Sequence, residues 1–260
     1  MTGRETGRET GRARRIVRHG FLGRLRYREA EALQARVRDA LRAGEGEEHL
    51  LLLEHPHVYT LGRNAAAADL VLGPAARAAR GIEVAETDRG GQVTYHGPGQ
   101  LVGYPIVDLD PDRRDVRRYV RDLQETIVRT LADFGVAAGV REGQEAVGVW
   151  AGEEKIASIG VHLKRWVTTH GFALNVTTDL SYFDGIVACG MPQVRLTSIE
   201  RLTGARPPLA EVAARCAVRF GEVFDREMAP FQEARVASET LGASPSRAAA
   251  GPRAAAPAAR

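Results

Sequence analysis

Hydrophobic residues recur with two different periods along the chain, and this alternation limits the fold more than any other feature of the sequence. Three segments carry apolar residues at helical spacing, which predicts helices near 24–43, 116–134 and 209–223. Between them the period drops to two, as in half-buried strands. Such strands are expected at 50–53, 82–86, 92–95, 101–107, 147–150, 158–163 and 172–176. The pattern predicts an α/β (α+β) domain in which helices flank a mixed or antiparallel sheet.

The two ends of the chain differ in composition from its middle. Residues 1–15 repeat the tetrapeptide TGRE, and residues 243–260 are rich in Ala, Pro, Gly and Arg. Each end carries a net charge of +3, so the body from 16 to 242 is about −3 although the whole chain is +3. We therefore expect disordered tails at 1–15 and 243–260, one domain at 16–242, and no nucleic acid as its partner.

Apolar runs and cysteines indicate the compartment. No run approaches the roughly 18 residues that a membrane span needs, and the N-terminus lacks the apolar segment of a secretory signal. Two cysteines among 260 residues cannot form a disulfide framework. We expect a cytoplasmic protein, without membrane association, in which both thiols are reduced.

The two cysteines have different surroundings. Cys216 lies on the apolar stripe of the third helix, which favours a buried core thiol. Cys189, in the stretch "IVACGMP", follows no helical or strand period and is followed by Gly190. Core filler, disulfide partner, metal ligand and nucleophile are all possible there. No C-x-x-C or H-E-x-x-H spacing supports a metal, and a nucleophilic cysteine needs a neighbour that accepts its proton.

Lysine is unusually rare in this chain. Of the 36 Lys and Arg residues, only Lys155 and Lys164 are lysine. An amine can lose its proton, whereas a guanidinium stays charged, so a lysine kept against this bias is a candidate for proton transfer. Lys155, in "EEKIASIG", is the candidate, whereas Lys164, beside Arg165, is interpreted as a chance occurrence. The alternative for Lys155 is the solvated end of a hairpin.

The densest run of glycine is "RGGQVTYHGPGQ" at 89–100. Its four glycines allow the backbone to approach a ligand or another strand closely. The run matches neither phosphate-binding glycine pattern, so a nucleotide phosphate is not indicated. A hairpin rich in turns is the alternative interpretation.

Four stretches together resemble one family, the lipoyl(octanoyl) transferases. They are "LLLEHPHVYTLGR" (51–63), "RGGQVTYHGPGQLVGYPIVDL" (89–109), "KIASIGVHLKRWVTTHGFALNV" (155–176) and "IVACGMPQVRLTSI" (186–199). The resemblance covers most of the body and neither tail. It implies a single domain like the catalytic domain of the biotin and lipoate protein ligases.

The resemblance also implies roles for individual residues. Cys189 aligns with the nucleophile that carries the acyl group as a thioester, and Lys155 aligns with the lysine of its catalytic dyad. Ala188 precedes the cysteine where many members have proline. No metal and no cofactor is implied, and it stays open whether His96 acts in catalysis or only packs. The residues that align with substrate-binding segments are Arg89, Gly90, Gly91, Gln92, Val93, Thr94, Tyr95, His96, Ser158, Ile159, Gly160, Gly171, Phe172 and Ala173.

The implied reaction is the first step of endogenous protein lipoylation. An octanoyl group arrives as a thioester on the phosphopantetheine arm of acyl carrier protein, passes to Cys189, and ends on a lysine of a lipoyl domain. The implied acceptors are the lipoyl domains of 2-oxoacid dehydrogenases and the H protein of glycine cleavage, and we expect a monomer. Three other functions stay open: an ATP-dependent lipoate or biotin ligase, a non-catalytic module that binds lipoyl domains or acyl carriers, and a thioester hydrolase.

An acidic carrier protein calls for a basic docking face. Arginines cluster at the start of the second predicted helix and are candidates for it. The alternative is a solvated helix face. The cluster consists of Arg113, Arg114, Arg117, Arg118 and Arg121.

Overall fold

The computed structural model describes residues 14–141, 143, 147–188, 191 and 193–231. The chain divides into two compact units, Met1–Pro230 and Phe231–Arg260. Only Phe231 of the second unit is among the described residues, so the fold given below is that of the first unit.

The predicted tails fall almost entirely outside the described residues. The exceptions are Arg14 and Arg15 in the predicted N-terminal tail. Arg14 forms an ion pair with Asp225, and Arg15 forms ion pairs with Glu48 and Asp112. These two arginines are therefore anchored to the first unit.

The described residues contain three long helices and two short ones. The long helices lie where the helical spacing predicts them, whereas the short helices have no counterpart among the predictions. The five helices are α1 (Tyr27–Ala43), α2 (Pro74–Ala79), α3 (Val116–Asp133), α4 (Ile199–Thr203) and α5 (Leu209–Phe224). Helix α1 ends at Gly44, whose left-handed backbone closes the last turn. Helix α3 begins at Asp115, whose side chain accepts a hydrogen bond from the Arg118 N–H.

All seven predicted strands are present, five of them within two residues of their expected bounds, whereas the two predicted at 158–163 and 172–176 begin four and five residues earlier; three further strands occur. The described strands are β1 (Ile16–Arg24), β2 (Glu48–Glu54), β3 (Val58–Leu61), β4 (Glu83–Glu86), β5 (Val93–His96), β6 (Gln100–Ile106), β7 (Gly148–Ala151), β8 (Glu154–Lys164), β9 (Val167–Asn175) and β10 (Glu227–Pro230). The unpredicted ones are β1, β3 and β10.

These strands form two sheets in the described part of the chain. The larger has seven strands in the order β10-β1-β2-β6-β9-β8-β7, and the smaller has three in the order β4-β3-β5. In the larger sheet β1 is parallel to β10 and β2, and the remaining pairs are antiparallel. The prediction of a mixed sheet flanked by helices is confirmed.

The main hydrophobic core lies between the seven-stranded sheet and helices α3 and α5. Leu52, Phe172 and Leu174 of the sheet belong to one buried cluster with residues of both helices. Cys216 of α5 is part of this cluster, and burial raises its pKa to about 12. The prediction that Cys216 is a core thiol is confirmed.

Helix α1 packs against β6 and β9 with side chains that are absent from this core, so it covers the opposite face of the sheet. Its Gln34 side chain accepts a hydrogen bond from the His170 N–H of β9 at 2.7 Å. Within the described ranges, no helix combines the length and the apolar composition that crossing a bilayer requires.

Candidate active site

A cavity opens on the α1 side of the large sheet. Strands β6, β8 and β9 of the large sheet supply one wall, and β5 with the glycine-rich segment before it supplies another. Tyr27, at the start of α1, lines it as well. The space in it that no atom fills, including solvent outside its open mouth, is about 670 Å³.

The structure brings most of the predicted site residues to this cavity, although their roles stay predictions. The two walls approach each other closely at Gly160, because a Cβ built on it would lie 3.0 Å from the Gly90 carbonyl oxygen. The predicted residues that line the cavity are Lys155, Arg89, Gly90, Gly91, Gln92, Val93, Thr94, His96, Ser158, Ile159, Gly160, Gly171, Phe172 and Ala173.

Tyr95 is predicted to bind substrate, but its side chain does not line the cavity. Successive side chains of a strand point to opposite faces, so Tyr95 leaves β5 on the side away from His96. There it is fully buried in a second cluster with Tyr59 and Phe183. Its hydroxyl is 2.8 Å from Nδ1 of His57.

Lys155 is a buried side chain in the cavity wall. It is only 1% exposed. Its Nζ lies 5.7 Å from the centroid of the Trp150 ring, within the distance range of amine–aromatic contacts. A Cβ built on Gly148 would lie 2.5 Å from Lys155 Cε and 3.3 Å from Nζ. The absence of a side chain at Gly148 therefore provides the space that the amine-bearing end of Lys155 occupies.

The segment that follows position 189 pairs with Lys155. The Lys155 N–H donates to the Arg195 carbonyl at 2.8 Å, and the Thr197 N–H donates to the Lys155 carbonyl at 3.0 Å. Before this segment, Ala188 is buried beside the three-stranded sheet. Cys189 itself lies outside the described residues, so its pairing with Lys155 stays a prediction.

A chain of side-chain hydrogen bonds connects this segment to His96. Asn175 Nδ2 donates to the Thr197 carbonyl at 3.1 Å, which leaves Asn175 Oδ1 to accept from Gln100 Nε2 at 3.0 Å. Gln100 Oε1 is then directed at His96 Nδ1, 2.8 Å away. A carbonyl oxygen can only accept, so the direction of every bond in the chain is determined and His96 Nδ1 carries the hydrogen.

His96 is neutral and has protein partners at both ring nitrogens. Burial, with the nearby His55 as the second cause, holds the pKa of His96 well below its ordinary value. Its Nε2 lies 3.5 Å from the Thr60 hydroxyl oxygen, which accepts a hydrogen bond from Arg89 Nε at 3.2 Å. His96 thus connects the glycine-rich segment at Arg89 to the large sheet.

The cavity is also lined by buried aromatic and polar side chains that the sequence analysis does not include, among them Tyr27, Tyr104 and His170. The Tyr27 hydroxyl donates to Thr87 Oγ1 at 3.0 Å. Thr87 Oγ1 is in turn 3.4 Å from His170 Nε2. The Tyr104 hydroxyl is 2.8 Å from His55 Nε2, and the Tyr104 ring lies edge-on to His170 with centroids 6.2 Å apart.

The histidines of this region are held in their neutral form. Burial lowers the pKa of His55 to about 4. Burial also lowers the pKa of His170, although the Asp88 carboxylate, 2.7 Å from Nε2, opposes that shift. Because a carboxylate only accepts, His170 Nε2 carries the ring hydrogen and Nδ1 is left as an acceptor.

The predicted docking face lies away from the cavity. The Arg114 guanidinium is 6.0 Å from the Trp166 ring, in the turn after β8, whereas Lys155 is at the other end of that strand. Arg114 pairs with Asp110, while Arg113 and Arg118 both pair with Asp122. A role for these arginines in carrier docking stays a prediction.

No group of three or more His, Cys, Asp or Glu side chains among the described residues is arranged to hold a metal ion. The side chains with ionisable or hydrogen-bonding groups at the described walls of the cavity include Lys155, His96 and Arg89.

Comparisons with known proteins agree with this architecture. Residues 26–221 match the family described as the lipoyl protein ligase A/B catalytic domain. An octanoyltransferase of Solibacter usitatus is 52% identical over 209 residues, which cover 80% of this chain and 93% of that protein. An octanoyltransferase of Geobacter metallireducens is 46% identical over 212 residues, covering 82% of this chain and 95% of that protein.

A solved structure shares the fold. The crystal structure of lipoate-protein ligase A bound with ATP superposes with a TM-score of 0.72 at 19% sequence identity, covering 87% of this chain and 93% of that one. The predicted ligase-like domain is thereby confirmed.

Proposed function

The chain belongs to the octanoyltransferase family, and from this premise we propose that it transfers an octanoyl group from octanoyl-acyl carrier protein to the acceptor lysine of a lipoyl domain, through a thioester on Cys189. The observation that carries the proposal is the burial of Lys155 in the wall of a cavity that both sheets line. The chain uses arginine almost everywhere else, but here it has a lysine. An amine can lose its proton and act as a base, whereas a guanidinium cannot, so a lysine at this position fits a role in proton transfer.

The first half of the reaction exchanges one thioester for another. Lys155, as the free amine, takes the proton of the Cys189 thiol, and the sulfur attacks the carbonyl carbon of the octanoyl thioester. The new bond joins the octanoyl carbon to Cys189 Sγ, and the bond to the phosphopantetheine sulfur breaks. Lys155 returns its proton to that departing sulfur, which leaves an octanoyl enzyme and a free carrier thiol.

The second half forms the amide. The amine of the acceptor lysine attacks the octanoyl carbon, and Lys155 accepts a proton from the attacking nitrogen. The bond to Cys189 Sγ breaks, and Lys155 protonates the sulfur so that the resting thiol returns. Thioester exchange is close to neutral and the conversion of a thioester to an amide is downhill, so no ATP is consumed.

The cavity supports this route through the fit of the acyl chain. Its walls include the small residues Gly91, Gly160 and Ala173, which leave room for an apolar chain. Ala157, the fourth small residue considered for this wall, is buried in the main core instead. Burying each methylene stabilises the complex by about 0.8 kcal/mol. We assign the tail of the octanoyl group to this cavity and its carbonyl carbon to the Lys155 end.

Intact-mass spectrometry tests the covalent intermediate. Protein incubated with octanoyl-acyl carrier protein is expected to gain one octanoyl group, and an apo lipoyl domain added afterwards is expected to remove it and gain the same mass. The Cys189→Ala variant should gain nothing, whereas the matched Cys216→Ala variant should behave as the parent. An adduct that maps to Cys216, or transfer that survives in Cys189→Ala, contradicts the proposal.

A matched lysine pair tests the proton transfer. Lys155→Arg is expected to fold but to lose transfer by a factor of at least about 10², because a guanidinium cannot act as a base. Lys164→Arg makes the same chemical change at the other end of β8 and should leave the rate unchanged. If the Lys155→Arg variant turns over at the rate of the parent, Lys155 is not the base in this mechanism.

The same assay separates the other functions. Free octanoate released without acceptor indicates a hydrolase, and transfer that requires ATP indicates a ligase. Binding of carrier or lipoyl domain without turnover indicates a non-catalytic module.

A further inference from the structure

A bulge in β8 brings Lys155 to the cavity face of the sheet. Val149 pairs with Ala157, and the next pair along the two strands is Trp150 with Lys155. Ile156 is therefore an extra residue on β8, and such a bulge changes the direction of neighbouring side chains. Ile156 and Ala157 are successive residues, yet both are buried in the main core, whereas Lys155 lines the cavity. The bulge thus places Lys155 beside its cross-strand partner Trp150.

The Trp150 ring has the basic groups of two residues over it. Lys155 Nζ lies 5.7 Å from the ring centroid, and the central guanidinium carbon of Arg141 lies 4.5 Å from it. The face of an aromatic ring is negatively polarised and attracts cations at these distances. Arg141 also donates to the Gly152 carbonyl at 3.0 Å and pairs with Glu153 at 2.5 Å. The Glu153 carboxylate therefore balances the Arg141 charge, and Arg141 joins the ring to the turn between β7 and β8.

The backbone that carries this ring is held as well. The Trp150 N–H donates to the Gly139 carbonyl at 2.8 Å, and the Gly139 N–H donates to the Trp150 carbonyl at the same distance. The side chain of Trp150 is buried. The ring is therefore fixed on three sides, by Gly139, by Arg141 and by the strand pairing with Lys155.

We propose that Trp150 is a positioning residue for octanoyl transfer, whose indole ring holds the Lys155 amine in place and stabilises the ammonium that forms when Lys155 takes a proton. This inference rests on the proposed function, in which Lys155 accepts a proton in each half of the reaction. A ring face attracts a cation more strongly than a neutral amine, so the contact strengthens as the proton arrives. An interaction that strengthens only at that stage raises kcat and leaves the binding of the donor unchanged.

The test weakens the attraction of the ring for a cation and leaves its shape nearly unchanged. Nonsense suppression at codon 150 introduces tryptophans with an increasing number of ring fluorines, each of which withdraws electron density from the ring face. We expect kcat to fall stepwise, by roughly 30-fold over the series, because a desolvated cation–π contact contributes about that much. The KM for octanoyl-acyl carrier protein should stay within about twofold of the parent value, since the ring acts after binding.

The same fluorinated series at Trp166 is the matched control. That ring also has an arginine near it, Arg114 at 6.0 Å, but it lies in the turn at the opposite end of β8 from Lys155. Fluorination there should leave kcat unchanged. A kcat that does not depend on fluorination at position 150, or that falls equally at both positions, overturns the inference.

Side-chain replacement provides a second measurement. Trp150→Phe keeps a ring and should retain kcat within about fivefold of the parent, whereas Trp150→Leu removes the ring and should lose roughly 30-fold. Trp166→Leu should lower the melting temperature without lowering kcat. A folded Trp150→Leu variant that is as active as Trp150→Phe contradicts the inference, and the fluorinated series decides if Trp150→Leu does not fold. Should the parent transfer no octanoyl group at all, the proposed function itself fails, which is a different result.

Discussion

Gly148 and Lys155 are packed so that the missing side chain of one makes room for the side chain of the other. The closest approach of a Cβ at position 148 would be 2.4 Å to the Ala157 carbonyl oxygen and 2.5 Å to Lys155 Cε. Real Cβ atoms do not come this close to other heavy atoms. The backbone of Gly148 also has φ of +149°, where other residues are strained.

Gly148→Ala is therefore expected to displace the Lys155 amine. A shift of about 1 Å in a catalytic group can lower the rate about 10²-fold, and we expect a loss of that order in kcat/KM for octanoyl transfer. Steady-state kinetics on folded protein measure it. Gly152→Ala is the control, since Gly152 is also left-handed, with φ of +57°, but no described heavy atom lies within 4 Å of its Cβ position. Equal rate losses in both variants would show that backbone strain, not contact with Lys155, causes the effect.

The hydrogen-bond chain through Asn175 gives a second prediction. Asn175→Asp keeps the shape of the side chain but replaces the Nδ2 donor with an oxygen that faces the Thr197 carbonyl. We expect a loss of about 1–3 kcal/mol in the free energy of unfolding, because two buried acceptors then oppose each other. Transfer should slow as well, since Thr197 pairs with Lys155. Urea denaturation and kinetics measure the two effects, and Asn64→Asp, at an exposed position, should show neither.

Stability is expected to fall in mild acid. His55 has a pKa of about 4 in the folded protein because it is buried, against an ordinary value of 6.5. The unfolded chain therefore binds more protons below pH 6.5, so the free energy of unfolding decreases as the pH falls from 6.5 toward 4. His55 alone accounts for roughly 3 kcal/mol over that interval. Urea denaturation at several pH values checks this, and a His55→Gln variant whose pH dependence matches the parent's would contradict it.

Cys216 is expected to be chemically inert in the native protein. Its burial in the main core raises its pKa to about 12, so almost no thiolate exists at neutral pH. Iodoacetamide should leave Cys216 unmodified until denaturant is added, as peptide mass mapping will report. Rapid alkylation of Cys216 in native protein would show that α5 opens, and would weaken the use of Cys216→Ala as a control.

Periodicity predicts the long helices and most of the strands, and its failures have physical reasons. Helices α1, α3 and α5 each bury one face against a sheet over four or more turns, which leaves a long apolar stripe. Strand β3 is buried at three consecutive residues and β10 has no fully buried residue, so neither alternates between buried and exposed positions. Strand β1 is half-buried along most of its length, so its apolar and polar residues do not alternate.

The site is predicted in part because motifs mark the residues near a ligand but not those that support them. Among the described residues, Tyr95 is the predicted site residue that does not reach the cavity. Side chains alternate along β5, so Tyr95 lies on the opposite face of the strand from His96. Gln100 and Asn175 could be predicted as supporting residues, because both are polar residues within apolar strands. Tyr27 could not be predicted, because the sequence does not show which way the first residue of α1 faces.

Strand β8 carries both lysines of the chain, Lys155 near its start and Lys164 at its end, about 30 Å apart by strand rise. The first is buried in the cavity wall and the second is exposed. The one exposed side-chain amine of the chain thus lies far along the strand from the buried one. An acyl group activated beside Lys155 is therefore kept away from Lys164 of the same molecule and remains for the lysine of the acceptor domain.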